Sequence, residues 1–377
     1  MHIRNSCFLP ILCLLLTLLI TLPGCFDARD IEHRALVLAV AIDRSETGSG
    51  YSVTVQIAVP GEIGGGEGGG DGEPSFNVSA ESQNIAGALA AIQAKVALPL
   101  FFGHTRLIAV SDGIAETGLA DTLDFFRRSA EVRRTAWLII GQPTAAVILE
   151  TKLKLEQLPV LGVIDVLETQ AYLQHLAGIQ ISSFWSRLDC PAEEPIIPIL
   201  IRTEDRVDFG GTAVFRDDRM IGTFSRDETA YLQMLHGRPV RSDVTVELPD
   251  TGAQVTVNLT NVRTRVVPRV AGDSIAFTVK VRAEGRVTEE TGPGQTDTPA
   301  GIAALETVLS QAIAANLRAV INKEQREFRV DPYPFGEIIR ARHPSLWRRI
   351  DWRETFPTIP VDIQVTSFIR HIGETRR

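Results

Sequence analysis

Hydrophobic and polar positions change their period several times in the first half of the chain. Residues 35–43 are almost continuously apolar, which predicts a buried strand. Residues 51–59 alternate apolar with polar or small positions, which predicts a half-buried strand paired with the first through a turn at 45–50. Further strands are predicted at 107–110 and 135–141, and apolar residues at helical spacing predict helices at 84–98 and 118–128. This order is typical of an α+β or α/β unit.

The second half shows a different pattern. Residues 210–215 and 219–224 predict a hairpin that turns at Asp217 and Asp218, and a short helix is predicted at 227–235. Three segments then alternate with period two, which predicts an antiparallel meander with one face in water; they are 244–248, 255–259 and 275–281. A last strand at 361–365 is expected to return to this sheet.

A long apolar stripe at helical spacing runs through residues 302–328. Such a helix could lie in a membrane interface, but its polar face is mixed and not basic, as an interfacial helix would require. Packing across the preceding sheet is therefore favoured.

Pro191, Pro195 and Pro198 mark a change in the pattern and place the main boundary. The expected fold is α+β with tandem mixed α/β domains: an N-terminal strand-helix-strand region and a C-terminal antiparallel sheet packed by a long helix. The expected units are a signal peptide at 1–24, an N-terminal domain at 25–195 and a C-terminal α+β domain at 205–377. A further division of the N-terminal domain near 145–150 is left open.

The N-terminus predicts export. Arg4 precedes an apolar stretch at 8–22 that is too short for a comfortable membrane span, and the run 22–25 reads Leu-Pro-Gly-Cys. This run is similar to a bacterial lipobox, so Cys25 is the predicted lipidation site. An ordinary signal peptide with a chance cysteine and an uncleaved anchor are the alternatives.

The net charge of the chain limits the classes of partner that it is expected to bind. The 377 residues carry 46 acidic and 38 basic side chains, a formal net charge of −8, which disfavours nucleic acid as a partner. An acidic body is mildly repelled by an anionic membrane, so attachment is expected to come from the lipid.

Cysteine usage agrees with a lipid site. Of the 4 cysteines, Cys7 and Cys13 lie in the signal segment, so Cys190 would be the one left in the folded body once Cys25 is modified. Without a nearby base, Cys190 is interpreted as a small, half-buried residue and not as a reactive thiol.

Two motifs invite a chemical interpretation. Gly64, Gly66 and Gly69 match a dinucleotide fingerprint, but Pro74 and a polar strand-like segment follow where a helix should begin, so a surface loop is favoured and no cofactor is expected. His104 and Arg106 could form a catalytic pair, yet no activated nucleophile or metal-ligand spacing accompanies them. They are interpreted as a structural junction or a partner contact, and neither a catalytic residue nor a metal site is predicted.

The C-terminal region adds a candidate contact surface. Trp347 is predicted to lie on a helix running from Phe335, together with three arginines in a chain that is otherwise acidic; the arginines are Arg340, Arg342 and Arg349. These residues predict a basic and aromatic contact patch. The alternative is that Trp347 packs the helix onto the last sheet.

Several runs together resemble one known family. They are the run 25–32 followed by the strand at 35–43, FFGHTRLI at 101–108, DFFRR at 124–128, GGTAVF at 210–215, PFGEIIRARHPSLWRRI at 334–350 and FPTIPVDIQV at 356–365. The chain resembles the Ger(x)C family, the lipoprotein C subunits of bacterial spore nutrient germinant receptors. The likeness covers nearly the whole mature chain in the expected order, with Phe26 where the family usually has Trp.

The resemblance implies a non-enzymatic subunit needed for germinant-triggered spore germination. It implies a lipid-anchored position on the outer face of the inner spore membrane, and assembly with a partly membrane-embedded A subunit and a transporter-like B subunit that binds the nutrient. From other classes, a lipid-anchored solute-binding protein of a transporter and a secreted hydrolase remain alternatives. A deep polar cleft between the halves would favour the solute-binding protein. Clustered titratable residues with shifted pKa values would favour the hydrolase.

Overall fold

The computed structural model describes residues 33–63, 72–151, 156–173, 176, 180–237, 241–292, 296, 298–333 and 335–371. The predicted lipid site Cys25 and the glycines Gly64, Gly66 and Gly69 lie outside these residues.

Strands and helices alternate in the first part of the chain and segregate in the second. The strands are β1 (Ala35–Arg44), β2 (Tyr51–Ala58), β3 (Ser75–Ser82), β4 (Leu100–Phe101), β5 (Leu107–Ser111), β6 (Trp137–Gln142), β7 (Ile196–Thr203), β8 (Arg206–Arg216), β9 (Arg219–Ser225), β10 (Asp243–Glu247), β11 (Gln254–Ala271), β12 (Ser274–Thr291) and β13 (Val361–His371). The helices are α1 (Ile85–Gln93), α2 (Asp112–Ala115), α3 (Ala120–Arg128), α4 (Ala145–Glu150), α5 (Pro159–Tyr172), α6 (Ile181–Leu188), α7 (Arg226–Leu235), α8 (Pro299–Asn322), α9 (Phe335–Arg342), α10 (Pro344–Trp347) and α11 (Trp352–Thr355).

The first sheet has the strand order β3-β2-β1-β5-β6-β7-β8-β9, with β4 paired to β1. Strands β1, β5, β6 and β7 run parallel, and helices cover both faces. Strand β5 shows this directly, because Leu107 and Ala109 join the hydrophobic cluster on one face while Ile108 and Val110 join that on the other. Continuously apolar strands are therefore required here, as the sequence predicts for 35–43.

The hairpin β8–β9 extends this first sheet and not the second. Strand β7 pairs with β6 on one side and with β8 on the other, so the sheet continues past the predicted boundary near Pro195. Gly210 is the extra residue of a bulge opposite Ile199 and Leu200. Gly211 has φ 127°, and a Cβ there would overlap the carbonyl oxygen of Phe224, which explains the glycine pair of the GGTAVF run.

The second sheet has the order β10-β11-β12-β13, and the long helix packs on it as predicted. Strands β11 and β12 are 18 residues each, much longer than the predicted segments. The fourth strand, β13, is parallel to β12 and not antiparallel, because the connection between them crosses over through α8. The Ser367 N–H of β13 donates to Ser310 Oγ (2.9 Å) and the Ile369 N–H donates to Glu306 Oε1 (2.9 Å), so side chains of α8 cap the outer edge of this strand.

Helix α8 meets the length and composition that a membrane span requires when it is taken together with residues 323–328. Its stripe is nevertheless buried in the core that it shares with the second sheet; the stripe is Leu305, Leu309, Ile313, Leu317, Val320 and Ile321. The packing interpretation is confirmed.

Two predicted helices have different bounds. The helix expected at 84–98 is capped by Asn84, whose side chain accepts from Gly87 N, but it ends at Gln93. The helix expected to run from Phe335 through Trp347 is wrong: it breaks at His343 (φ −133°, ψ 58°), because the following Pro344 excludes helical geometry at the residue before it.

Candidate functional site

His104 and Arg106 lie close in sequence but have separate surroundings. The His104 ring lies 5.8 Å from Phe101, and its Nδ1 is buried without a hydrogen-bond partner among the described residues. Arg106 is exposed and forms an ion pair with Glu168 (3.5 Å). The buried hydrogen bond of this segment is made instead by Thr105, whose Oγ1 donates to the Val37 carbonyl (3.1 Å). A partner contact by His104 or Arg106 stays a prediction.

The residues of the predicted basic and aromatic patch are largely engaged within the chain. Arg340 pairs with Glu337 (2.6 Å), Arg349 pairs with Asp273 (2.7 Å), and Arg342 is exposed. Trp347 is half-buried, with its ring 5.7 Å from that of Trp352. Contact with a partner through these side chains stays a prediction.

The structure instead brings four acids and an arginine together where the two sheets meet; Glu194, Glu324 and Asp331 are buried, and Asp217 and Arg353 are exposed. We call Glu194, Asp217, Glu324, Asp331 and Arg353 the acidic junction. They come from the segment before β7, the β8–β9 turn, the segment after α8, and α11. Helix α8 continues as a π-helix over Lys323–Phe328 and ends at Arg329, which has φ 55° in the left-handed region. This turn places both Glu324 and Asp331 in the interior.

Asp331 organises the C-terminal helices. Only 3% of the residue is exposed, and its carboxyl accepts from Gly336 N (2.7 Å), Phe335 N (3.4 Å) and Trp352 Nε1 (3.0 Å). Its backbone carbonyl accepts from Glu194 N (3.0 Å). Burial holds the pKa of Asp331 well above its ordinary value, and the hydrogen bonds act in the opposite direction. The Asp331 side chain thus joins α9 to α11, and its backbone carbonyl joins both to the segment that precedes β7.

Glu324 is fully buried, and neither of its carboxyl oxygens has a hydrogen-bond partner among the described residues. Burial, with a smaller contribution from the nearby Asp331 charge, raises the pKa of Glu324 well above 4.5. The same two carboxyl groups and burial also raise the pKa of Tyr333. An unpaired carboxyl in such a place is held as the neutral acid, because the charged form would lose its hydration.

Aromatic rings enclose these acids. The Phe335 ring lies 4.6 Å from Tyr333, 4.9 Å from Phe277 and 5.8 Å from Phe356, and Trp352 lies 5.8 Å from Phe356. Phe335 and Phe356 belong to the two C-terminal runs of the sequence, at 334–350 and 356–365. The aromatic shell excludes water and so maintains the low polarity around Asp331 and Glu324.

Ion pairs close the junction at the surface. Arg353 contacts Glu194 Oε1 (3.0 Å) and Asp217, while Asp217 N donates to Glu194 Oε2 (3.0 Å). Burial raises the pKa of Glu194, and the charge of Arg353 opposes this shift. The next residue, Asp218, accepts from Ala120 N (3.0 Å), so the β8–β9 turn connects α3 to the C-terminal helices.

The chemistry of this arrangement is structural. The Asp331 carboxyl is held by backbone and aromatic donors and Glu194 and Asp217 pair with Arg353, and no group of three or more His, Cys, Asp or Glu within the described ranges could hold a metal ion. A groove of about 1060 Å³ lies between α5 and the β7–β8 turn, lined in part by Asp165, Glu204 and Arg206. It belongs to the first sheet and not to the meeting of the two sheets.

The buried acid Glu324 predicts an unusual dependence of stability on pH. Because the pKa of Glu324 is raised on folding, the folded chain keeps a proton there that the unfolded chain releases above about pH 4.5, so the contribution of Glu324 to stability falls as pH rises through this range. Between about pH 4.5 and the raised pKa of Glu324, the difference in unfolding free energy between the parent and Glu324→Gln is expected to change by about 1.4 kcal/mol per pH unit. Urea unfolding from pH 5 to 9 measures it.

The matched control is Glu327→Gln, which removes an exposed carboxyl from the same segment. Its pH profile should follow that of the parent. If the profiles of parent and Glu324→Gln coincide, Glu324 does not hold a proton in the folded state.

Comparisons with known proteins cover nearly the whole chain. The family described as "Spore germination protein N-terminal domain" matches residues 27–202, and "Spore germination B3/ GerAC like, C-terminal" matches residues 210–373. The chain belongs to the Ger(x)C family of spore germination proteins. This confirms the family resemblance proposed from the sequence runs.

Relatives in this family align over their full length. Spore germination protein KC of Bacillus subtilis (strain 168) is 28% identical over 396 residues, covering 98% of this chain and 96% of the relative. Spore germination protein B3 of the same organism is 22% identical over 366 residues, covering 94% and 96%. The crystal structure of the GerBC protein matches with TM-score 0.60 at 18% identity, covering 88% of this chain and 96% of that chain. The structural likeness supports the α+β fold in two units.

Sequence reasoning missed the acidic junction, although one signal was present. Glu324 continues the apolar spacing of α8 after Ile313, Leu317 and Val320, so it occupies a position on the buried stripe. An acid at such a position predicts a buried carboxyl. Asp331 has no comparable signal, because it lies in a loop whose path depends on the packing of α9 and α11.

Proposed function

We propose that this chain is a non-enzymatic, lipid-anchored C subunit of a spore nutrient germinant receptor. The observation that supports it is the match of both Ger(x)C domain families, in order, over residues 27–202 and 210–373. The acidic junction supports a structural role, because it links the two units and presents no free nucleophile or metal-ligand set within the described residues.

The proposed location is the outer face of the inner spore membrane, with Cys25 carrying the lipid. The segment 26–32 separates Cys25 from the first described residue, His33. At about 3.6 Å per extended residue, it can hold the folded body no more than roughly 30 Å from the membrane. In this position the chain would assemble with the A and B membrane subunits.

Lipidation gives a direct prediction. A palmitate analogue should label the parent chain, and Cys25→Ala should lose the label, because the thiol that would carry the acyl group is removed. Gel fluorescence measures the label. Cys190→Ala, which removes the free cysteine of the folded body, is the control and should keep the label. Retained label after Cys25→Ala would contradict the proposal.

Co-purification tests the receptor assignment. The chain extracted from spore membranes should carry A and B subunits with it, identified by mass spectrometry. Deletion of the chain should abolish the response to one nutrient while leaving the protein content of the membrane otherwise unchanged. If the chain instead co-purifies with a transporter and without an A subunit, the alternative of a lipid-anchored solute-binding protein is favoured.

A further inference from the structure

The exposed face of the second sheet carries a compact group of cations. Arg263 and Arg265 on β11 and Lys280 and Arg282 on β12 line one groove of about 350 Å³. In the register Arg263 lies opposite Arg282 and Arg265 opposite Lys280. We call these four residues the basic face. It points away from the hydrophobic cluster in which the same strands bury Val262, Val266, Val279 and Val281.

This arrangement is unfavourable for the isolated fold. Like charges directly opposite one another on neighbouring strands destabilise a sheet. Arg282 is partly compensated, because it contacts Glu284 (3.2 Å) and lies 4.2 Å from the centre of the Phe368 ring. For the other three cations, no ion pair is found with any residue of the described ranges. The basic face therefore has unused positive charge.

The charge is also local. The chain as a whole has a net charge of −8, and the other end of the same face carries Asp243, Glu247 and Glu289. Nearer the basic face, Glu284 is engaged by Arg282 and Arg370, which hold its pKa at about 2, and Asp362 accepts from the Gln364 side chain. The sheet thus has a basic and an acidic end, which the net charge of the chain conceals.

We propose that the basic face docks on anionic phospholipid headgroups and orients the body on the membrane. This inference rests on the proposed membrane location. Charge complementarity favours it, because each Lys or Arg near an anionic bilayer attracts it and the tether of at most about 30 Å keeps the bilayer within reach. On β13 the neighbouring Gln364 and Thr366 line the same groove and offer donors to phosphate oxygens.

A planar surface fits this site better than a peptide strand added at β13. Such a peptide would need the outer N–H groups of Ser367 and Ile369, which already donate to Ser310 and Glu306. The cations project from the face of two adjacent strands, where many headgroups can reach them at once.

Vesicle binding tests the docking without any dependence on lipidation. The full chain carrying Cys25→Ala is mixed with vesicles of phosphatidylcholine alone or with about one third phosphatidylglycerol, and co-sedimentation is measured at low and high salt. The parent and the variants below carry the same N-terminal segment, so the change that a variant makes in the ratio of the two affinities is the readout. We expect at least tenfold tighter binding to the anionic vesicles at low salt, and loss of this preference near 1 M salt.

The decisive variant combines Arg263→Gln, Arg265→Gln and Lys280→Gln and leaves the paired Arg282 intact. It should lose most of the anionic preference while unfolding at an unchanged or higher temperature, because like-charge pairs are removed. The matched control combines Arg133→Gln, Arg219→Gln and Arg318→Gln, three exposed cations elsewhere, and should keep the preference. If the triple variant is poorly folded, the preference for anionic vesicles is measured for Lys280→Gln alone and, as a function of salt, for the parent.

Two results would overturn the proposal: equal affinity of the parent for both vesicle types, or an undiminished preference in the triple variant. Loss of subunit co-purification in the triple variant with unchanged vesicle affinity would also overturn it, and would assign the face to an acidic protein partner. If Cys25 is not labelled, the proposed lipid anchor is wrong. The vesicle result still tests the basic face, because the vesicle assay uses the Cys25→Ala chain.

Discussion

Asp331→Ala should lower the unfolding free energy by roughly 3–6 kcal/mol. The substitution leaves three buried donors without an acceptor, namely Phe335 N, Gly336 N and Trp352 Nε1. Each buried donor left unsatisfied costs about 1–3 kcal/mol, and part of the loss is recovered because a buried carboxyl is removed. Since a domain is typically stable by about 5–15 kcal/mol, such a loss would deplete the folded protein.

Two comparisons make this prediction specific. Asp331→Asn keeps one acceptor oxygen and the size of the side chain, so it should lose clearly less than Asp331→Ala. Asp351→Ala removes an exposed aspartate that caps α11 by accepting from Arg353 N and Glu354 N, and should cost only about 1 kcal/mol. Urea unfolding of the three variants measures the order. A loss in Asp331→Ala no larger than in Asp351→Ala would show that Asp331 does not organise the junction.

Phe102→Ala should cost roughly 3–5 kcal/mol. Only 7% of Phe102 is exposed, and its ring lies 5.9 Å from Phe125, edge to face, in the cluster beneath the first sheet. Removing a buried ring leaves a cavity in addition to the lost transfer free energy. Chemical denaturation and the amount of protein in the membrane both measure the effect, and germination should fall in proportion to protein abundance.

His104→Ala should behave differently, with a loss below about 1 kcal/mol. The sequence predicts a buried hydrogen bond for His104 and so a larger loss, but Nδ1 has no hydrogen-bond partner in the described part of the chain, and the ring chiefly packs beside Phe101. A His104→Ala protein at full abundance without germination activity would reveal a ligand or partner contact at this position.

The pattern of apolar positions predicts the local elements well. Strands such as β1 and β5 and helix α8 were predictable because burial on one or both faces imposes a period on the sequence itself. Sheet membership was harder to predict. Residues 210–215 and 219–224 read as a hairpin in sequence, but only the pairing of β7 with both β6 and β8 decides that this hairpin belongs to the first sheet.

The candidate site shows a second limit of sequence reasoning. Polar residues with familiar chemistry, such as His104 and Arg340, attract attention in a sequence, whereas the junction depends on acids whose neighbours are distant along the chain. Asp331 meets Trp352, and Arg353 meets Asp217, across separations that only the packed fold defines. Net charge misleads in the same way, because cross-strand register, and not composition, concentrates Arg263 and Lys280 on one face.

The capped edge of β13 has a consequence for copies of the chain held at one membrane, as the proposed lipid anchor would hold them. Such copies would share a thin layer, where their local concentration is high and open strand edges would pair between neighbours. Ser310 and Glu306 occupy the outer N–H groups of Ser367 and Ile369, so one copy cannot template a continuous ribbon on the next through this edge. The side chains of Ser310 and Glu306 thus help to prevent strand pairing between neighbouring copies, with no reduction in the number of copies.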